Sequence, residues 1–192
     1  MSRLALLIFV QHAHLYIMEN NKHLQQELHT LLTSVYDEYI STLEKFSDEQ
    51  INEIPFEGSW TPGQVTDHII KATSGIPDKH TEPAKRPYDE KVGNMESVFL
   101  DFETKFKSPD FVVPGNGPFN KQTLVETLRS TLKRHLEKIG DTDLTELCLR
   151  FELPSIGTMT RYEWFRFIVA HMIRHHRQLK NILNSMVAAK SS

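Results

Sequence analysis

The sequence lacks the marks of a secreted, membrane or nucleic-acid-binding protein. Its 192 residues include one cysteine, Cys148, so no intramolecular disulfide can form, and a reducing cytoplasm is the simplest compartment. Basic residues are not in excess, because the formal net charge is -3, and nucleic-acid binding therefore has no electrostatic support. No apolar run is long enough to span a bilayer, and there is no internal repeat or low-complexity tract.

The N-terminal segment stands apart from the rest of the chain. Its apolar run, RLALLIFV at 3–10, could belong to a signal peptide, but QHAHLYIM offers no convincing cleavage site after it. MENNKHLQQEL, from Met18, has polar residues before an amphipathic helix and is typical of a natural start. We expect residues 1–21 to be an N-terminal extension, disordered or packed on the surface, and residues 22–189 to form a single domain without a membrane partner.

Four segments have the three- and four-residue apolar spacing of amphipathic α-helices. They cover residues 22–46, 59–72, 120–140 and 160–189. Each begins at residues that favour a helix N-terminus. These are Asn20 or Asn21 for the first, Thr61 with Gln64 for the second, Asn120 for the third, and Thr160 with Glu163 for the fourth.

The connections between these helices indicate the topology. Residues 77–119 are rich in proline and could hold one short helix within 94–106. Residues 143–159 form another connection, in which LCLRFEL could be a short extended piece. A crossover as long as 77–119 is typical of a bundle whose second and third helices run parallel. The fold class we predict is all-α: a four-helix bundle with a long crossover between helices 2 and 3.

Histidines occupy apolar positions in two of the helices. At about 100° per residue, the fourth helix has one continuous apolar stripe, composed of Trp164, Ile168, His171, His175, Leu179 and Ile182. His68 lies on the apolar stripe of the second helix, with Val65 and Ile69. His176 is rotated about 100° from the stripe, and we predict that it faces solvent or the rim of the bundle.

Buried imidazoles need partners, because an unsatisfied polar group costs roughly 1–3 kcal/mol. Two histidines four residues apart on one helix present both rings to one point, and neutral imidazole binds zinc, nickel, copper or iron. His68, His171 and His175 could therefore hold one divalent ion. A single histidine on an apolar stripe is more often a hydrogen-bonded core residue, and that alternative stays open. His135 ranks last as a ligand, because its basic neighbours favour an exposed edge.

Two stretches, SWTPGQVTDHIIKA and LPSIGTMTRYEWFRFIVAHMIRHHRQLKNI, resemble the DinB-like superfamily, the YfiT and DinB type of metal-dependent hydrolases. The resemblance rests on Trp60 shortly before His68, on the Pro/Gly approach to the last helix, and on H-x-x-x-H followed by glutamine. It covers roughly residues 22–185 and implies a four-helix bundle with a long crossover. It also implies a nickel or zinc ion on His68, His171 and His175, and a homodimer.

The same family includes thiol-dependent transferases and isomerases beside many members of unknown activity. Three histidines leave coordination positions open for water or substrate, as in catalytic sites. No carboxylate is obviously placed as a general base, because Asp67 points away from the face of His68 and Glu163 is occupied at a helix start. A metal-bound thiolate needs less help from a base than water does. We therefore expect a transferase or hydrolase acting on a small molecule, with a low-molecular-weight thiol as a candidate second substrate.

Two alternatives remain at this point. The chain could be a non-catalytic metal- or ligand-binding bundle, perhaps related to stress, or a metal-free helical dimer whose histidines are only buried. Cys148 could be invoked as a nucleophile, but a single cysteine between two leucines is more often a small buried hydrophobe. No catalytic residue is identified from the sequence.

Overall fold

The structure, a computed structural model, describes the backbone of residues 3–104 and 106–190, and the side chains of 21–104 and 106–189. Its helices are α1 (Arg3–Leu43), α2 (Pro62–Ala72), α3 (Val92–Phe99), α4 (Lys121–Asp141) and α5 (Arg161–Lys190). Its strands are β1 (Thr81–Pro83), β2 (Glu146–Leu153) and β3 (Gly157–Thr160). Two short 3₁₀ helices cover Gln50–Asn52 and Asp110–Val112.

The four long helices form the predicted bundle. Helices α1 and α2 each pack against both α4 and α5, so that every long helix has two neighbours on the same core. The crossover between the second and third bundle helices, α2 and α4, spans 73–120 and contains α3. The four-helix bundle with a long crossover is thus confirmed. Among the described residues, no helix has both the length and the apolar composition that crossing a membrane requires.

Local capping chemistry sets the predicted starts of α2 and α4. Thr61 accepts a hydrogen bond from the Gln64 N–H, and the Gln64 side chain accepts one from the Thr61 N–H, which confirms the capping box. Asn120 accepts from the Thr123 N–H at the start of α4. Because these bonds satisfy backbone donors that have no partner inside the helix, the first turns are fixed locally.

The first helix differs from the prediction. Helix α1 begins at Arg3, so it runs without a break through Asn20 and Asn21, and the predicted cap at those residues is wrong. Asn21 instead donates to the Thr142 carbonyl and accepts from the Leu144 N–H, tying α1 to the end of α4. The segment that sequence reasoning treats as an extension therefore continues the helix. Helical propensity outweighs a polar pair when no proline or glycine interrupts the segment.

A small sheet stands where we predicted mostly connections. Strand β2 pairs antiparallel with β1 and with β3, with Cys148 opposite both Thr81 and Met159. The extended piece expected at LCLRFEL is therefore the central strand. Its partners are too short to show a two-residue period: β1 has three residues and β3 has four. The sheet lies beside the start of α5, where the side chains of Thr160 and Glu163 cap that helix.

Candidate metal centre

Helix α5 carries two of the three predicted ligands on its buried face. His171 and His175 are 8% and 9% exposed, and the rest of their stripe is buried as predicted. Because four residues make about one helical turn, the two rings lie one above the other. Their Nε2 atoms are 3.0 Å apart. The helix thus aims two imidazole nitrogens at one point inside the bundle.

Helix α2 brings His68 to the same point from across the bundle. The centroid of its ring lies 4.7 Å from that of His175 and 5.4 Å from that of His171. Its Nδ1 lies 2.8 Å from the Val112 carbonyl oxygen. Since a carbonyl only accepts, Nδ1 carries the proton, and Nε2 presents a lone pair. The crossover therefore orients an imidazole that α2 supplies.

His175 is oriented in the same way by a residue of its own helix. Its Nδ1 lies 2.8 Å from Gln178 Oε1, which accepts the Nδ1 proton and leaves a lone pair on Nε2. His171 then donates its Nε2–H to that lone pair across the 3.0 Å gap. The Nδ1 atom of His171 is buried without a hydrogen-bond partner among the described residues. The two α5 imidazoles are thus joined by one hydrogen bond.

Aromatic side chains surround the three histidines. The ring of Trp60 lies 5.2 Å from that of His68, while Phe167 and Phe99 lie 5.2 and 5.7 Å from His171. Desolvation by this apolar shell lowers the pKa of His68, lowers that of His175 to about 3, and places that of His171 well below its ordinary value. All three rings are therefore neutral at pH 7, the form that binds metals.

Arg174 ties the crossover to this side of α5. Its guanidinium donates to the carbonyls of Phe99 and Asp101, at 3.2 and 2.6 Å, and to that of Thr104. It also lies 4.9 Å from the ring centroid of Phe106, which stacks on Phe99. These contacts hold Phe99 against His171 and so form one wall of the cluster.

The donor set and its spacing fit a divalent transition metal. One ring nitrogen from each of His68, His171 and His175 lies within 4.8 Å of the other two. Two nitrogens bound to one ion at about 2.1 Å lie roughly 3.0–3.4 Å apart, a range that includes the observed separation of His171 and His175. Nitrogen-only ligation suits zinc or nickel better than magnesium or calcium.

The carboxylates near the cluster are engaged elsewhere. Asp67 accepts from the Gly115 N–H and forms an ion pair with Lys71, both at 2.8 Å. Glu163 is fully buried and pairs with Arg86 at the start of α5. Cys148 lies in the core of the sheet, and burial raises the pKa of its thiol to about 12. In this arrangement, none of these three side chains is placed beside the histidines to act as a general base on a bound water or substrate.

Two other histidines are buried, contrary to our expectation. His176 does not face solvent: its Nε2 lies 2.8 Å from Thr42 Oγ1, because α1 covers that flank of α5. His135 is not at an exposed edge, since its Nε2–H donates to the Thr73 carbonyl at 2.8 Å. Both are satisfied by hydrogen bonds and lie outside the cluster. His23 and His29 are exposed, and the side chains of His12 and His14 lie outside the described part of the chain.

Sequence reasoning named the three clustered residues but missed their supports. Gln178 was visible three residues after His175, at a spacing that allows a side-chain contact on one helix face. The role of the Val112 carbonyl could not be predicted from the sequence, because every residue has a backbone carbonyl. Phe99 lies on α3 and Arg174 on α5. Their contacts could not be predicted, because they depend on the path of the crossover around α3, which has no periodic signal. That the three histidines bind a metal stays a prediction.

Comparisons with known proteins agree with this architecture. The sequence model of the DinB superfamily matches residues 31–179. The solved structure of YfiT from Bacillus subtilis, described as "a probable metal-dependent hydrolase with an unusual four-helix bundle topology", superposes with a TM-score of 0.55. The two are 17% identical, over 84% of this chain and 87% of that one, so the likeness concerns the fold. No curated protein sequence matches the chain.

Proposed function

Because the chain belongs to the DinB superfamily, we propose that it is a metal-dependent enzyme acting on small molecules, with His68, His171 and His175 holding one nickel or zinc ion. The reaction class we favour is a transferase that uses a low-molecular-weight thiol, with hydrolysis as the related alternative. We further propose that it works in the cytoplasm as a homodimer. The YfiT structure, described as that of "a probable metal-dependent hydrolase", supports metal dependence through a shared fold.

A single observation carries the proposal: two buried imidazole nitrogens 3.0 Å apart, with a third ring from another helix beside them. Neutral imidazoles packed this closely in an apolar shell satisfy one another poorly, since the Nδ1 of His171 has no partner among the described side chains. A cation at their meeting point would bind all three. When bound there, it would act as a Lewis acid and lower the pKa of a bound water or thiol.

The residues around the cluster favour the thiol reaction. Hydrolysis requires a base to remove a proton from water, whereas Asp67, the carboxylate beside His68 in the sequence, is held by Gly115 and Lys71. A thiol loses its proton far more readily than water does, so it needs less help. Trp60, Phe99 and Phe167 form apolar walls beside the imidazoles, which would exclude water from the reacting atoms.

Elemental analysis of protein purified without a histidine tag tests metal binding directly. We expect one nickel or zinc ion per chain in the wild type and none in His171→Ala, with the helical content unchanged in both. His135→Ala is the matched control, because it also removes a buried imidazole but not one of the cluster. Absence of stoichiometric metal in the wild type would leave a metal-free helical dimer as the better description.

Turnover then separates an enzyme from a non-catalytic metal-binding bundle. Low-molecular-weight thiols are offered together with small electrophiles, and the conjugates formed by the metal-loaded wild type and by His175→Ala are compared. We expect the wild type to be faster by at least about two orders of magnitude, a modest share of a typical enzymatic acceleration. Equal rates with metal bound to the wild type would favour the binding bundle.

A further inference from the structure

Another flank of α5 lines a cleft. This cleft, of about 290 Å³, opens between α1 and α5 and is lined by Val35, Glu38, Phe102, Ile173, His176, Arg177 and Lys180. The four α5 residues follow the spacing i, i+3, i+4, i+7, so they form one face of that helix. This face is rotated from the one that carries His171 and His175, and neither of those histidines lines the cleft.

The cleft carries positive charge that no carboxylate of the described residues neutralises. Arg177 and Lys180 have no carboxylate within 4.0 Å among the described residues. The Arg177 guanidinium lies over the ring of Phe102, whose centroid is 4.3 Å from the guanidinium carbon. The one acidic residue of the lining, Glu38, lies beside His176, with 3.7 Å between its Oε2 and Nδ1. The side chains of Arg177 and Lys180 are both exposed, so they are available to an anion from solution.

A second cleft of the same protein also contains cations, but these are paired with carboxylates. It has about 330 Å³ and is lined by Asp37, Arg129, Leu132, Lys133, Leu136 and Glu137. It also contains two cations, but Arg129 pairs with Glu44 at 3.4 Å and Lys133 with Glu137 at 3.8 Å. The two clefts are similar in size and differ in whether their cations already have partners.

Apolar side chains form the rest of the lining of the first cleft. Val35, Phe102 and Ile173 face it from three different segments, and Ile173 is 38% exposed although it lies within a packed helix. A carboxylate or phosphate group matches two unpaired cations, and an apolar body matches these side chains. The volume is near the lower end of the range for ligand pockets, so it suits a small molecule rather than a macromolecule.

We propose that this cleft binds a small organic anion, with its charged group on Arg177 and Lys180 and its apolar body against Phe102, Ile173 and Val35. The site is separate from the metal centre, and the inference does not depend on the proposed enzymatic function. Phe102 belongs to the crossover segment that Arg174 holds, and Phe99 of the same segment packs on His171. A bound anion would therefore contact a segment that also forms a wall of the metal centre.

Calorimetric titration of the full chain with octanoate tests the proposal, with octanamide as the uncharged analogue and inorganic phosphate as the headgroup alone. We expect one octanoate per chain and affinities at least about tenfold weaker for octanamide and for phosphate, because each lacks half of the interaction. The double variant R177Q/K180Q should lose at least about tenfold in octanoate affinity. The matched control R129Q/K133Q removes the same charge from the second cleft and should bind as the wild type does.

A carboxylate could also bind a metal ion at the histidines, so the titration is repeated in His171→Ala. Octanoate binding retained there supports the cleft, and binding lost there overturns the proposal. It is also overturned if R177Q/K180Q binds as tightly as the wild type, or if R129Q/K133Q weakens binding equally. Failure of octanoate to bind while R177Q/K180Q changes the sedimentation behaviour would assign the face to a second copy of the chain instead.

Discussion

The Nε2 atoms of His171 and His175 lie 3.0 Å apart in the interior of the bundle, and the proton between them belongs to His171. This assignment follows from Gln178, which accepts the Nδ1 proton of His175 and so leaves a lone pair on the other nitrogen. The pair is therefore already arranged as one donor and one acceptor. A cation at this point would bind the lone pair of His175 Nε2 directly, and that of His171 Nε2 once the His171 proton has moved to Nδ1, with little movement of α5.

The amide of Gln178 should control metal affinity without contacting the metal. Removing it in Gln178→Ala leaves the His175 ring free to rotate and to change tautomer, so we expect an affinity about 10–100-fold weaker. Competition with a chromogenic chelator measures the change. Gln122→Ala, which removes a glutamine from an exposed Gln122–Glu126 pair, is the control. Equal affinities of Gln178→Ala and the wild type would mean that helix packing alone orients His175.

Much of the fold was predictable because its information is local. Four predicted features involve residues only a few positions apart, and all are present. They are the capping boxes at Thr61 and Thr160, the cap at Asn120 and the apolar stripe of α5. The family assignment, which rests on the order of such motifs, is also confirmed. The small sheet was not predictable, since β1 pairs with β2 across more than sixty residues and has no period of its own.

The errors at His176 and His135 have a common cause. A helical wheel gives the direction of a side chain but not the number of neighbours that its helix has. Helix α5 packs against α1 as well as α2, so a residue about 100° from the main stripe is still covered. His135 is enclosed by the rings of Tyr36 and Phe165, at 6.1 and 5.8 Å. The basic residues beside it in sequence point elsewhere.

His135 should make the metal-free protein sensitive to acid. Desolvation lowers its folded pKa to about 4, below the 6.5 of the unfolded chain. Between these values the unfolded chain binds more protons, so the stabilisation is complete above pH 6.5 and is lost as the pH falls towards 4. At about 1.4 kcal/mol per pKa unit, His135 accounts for about 3 kcal/mol of that loss. Urea denaturation at a series of pH values measures it.

The matched variant for this test is His135→Gln, whose amide can still donate to the Thr73 carbonyl but does not titrate in this range. Its free energy of unfolding should fall about 3 kcal/mol less than that of the wild type between pH 7 and pH 4. His29→Gln, at an exposed position of α1, should leave the pH dependence as it is. Parallel curves for the wild type and His135→Gln would show that another group causes the acid sensitivity.

Glu163 should be a stabilising residue rather than a catalytic one. It is fully buried, pairs with Arg86 at 2.6 Å, and accepts from the backbone N–H of Lys91 and of Thr160. Glu163→Gln keeps the shape but leaves the Arg86 charge with only the more exposed Glu90, at 4.0 Å, as a carboxylate partner among the described residues, so we expect a loss of about 3–5 kcal/mol in the free energy of unfolding. Glu137→Gln, in the exposed pair with Lys133, should cost less than about 1 kcal/mol.

Metal content distinguishes this interpretation from a direct role of Glu163. If the variant binds metal stoichiometrically at a temperature where it stays folded, the carboxylate acts through the start of α5. If folded Glu163→Gln has lost its metal while Glu137→Gln retains it, the carboxylate contributes to the metal centre and the structural assignment is wrong.

Cys148 should have no part in catalysis. Its side chain is fully buried in strand β2, and a thiol whose pKa is raised to about 12 is almost entirely protonated at neutral pH. Cys148→Ala should therefore keep the metal and the turnover of the wild type, at a loss of about 1–2 kcal/mol in stability from the missing sulfur. In the native wild type, a chromogenic disulfide reagent should react far more slowly than after unfolding in guanidinium. A Cys148→Ala variant that binds metal but has lost turnover would make the thiol the nucleophile, and the low-molecular-weight thiol would then be unnecessary.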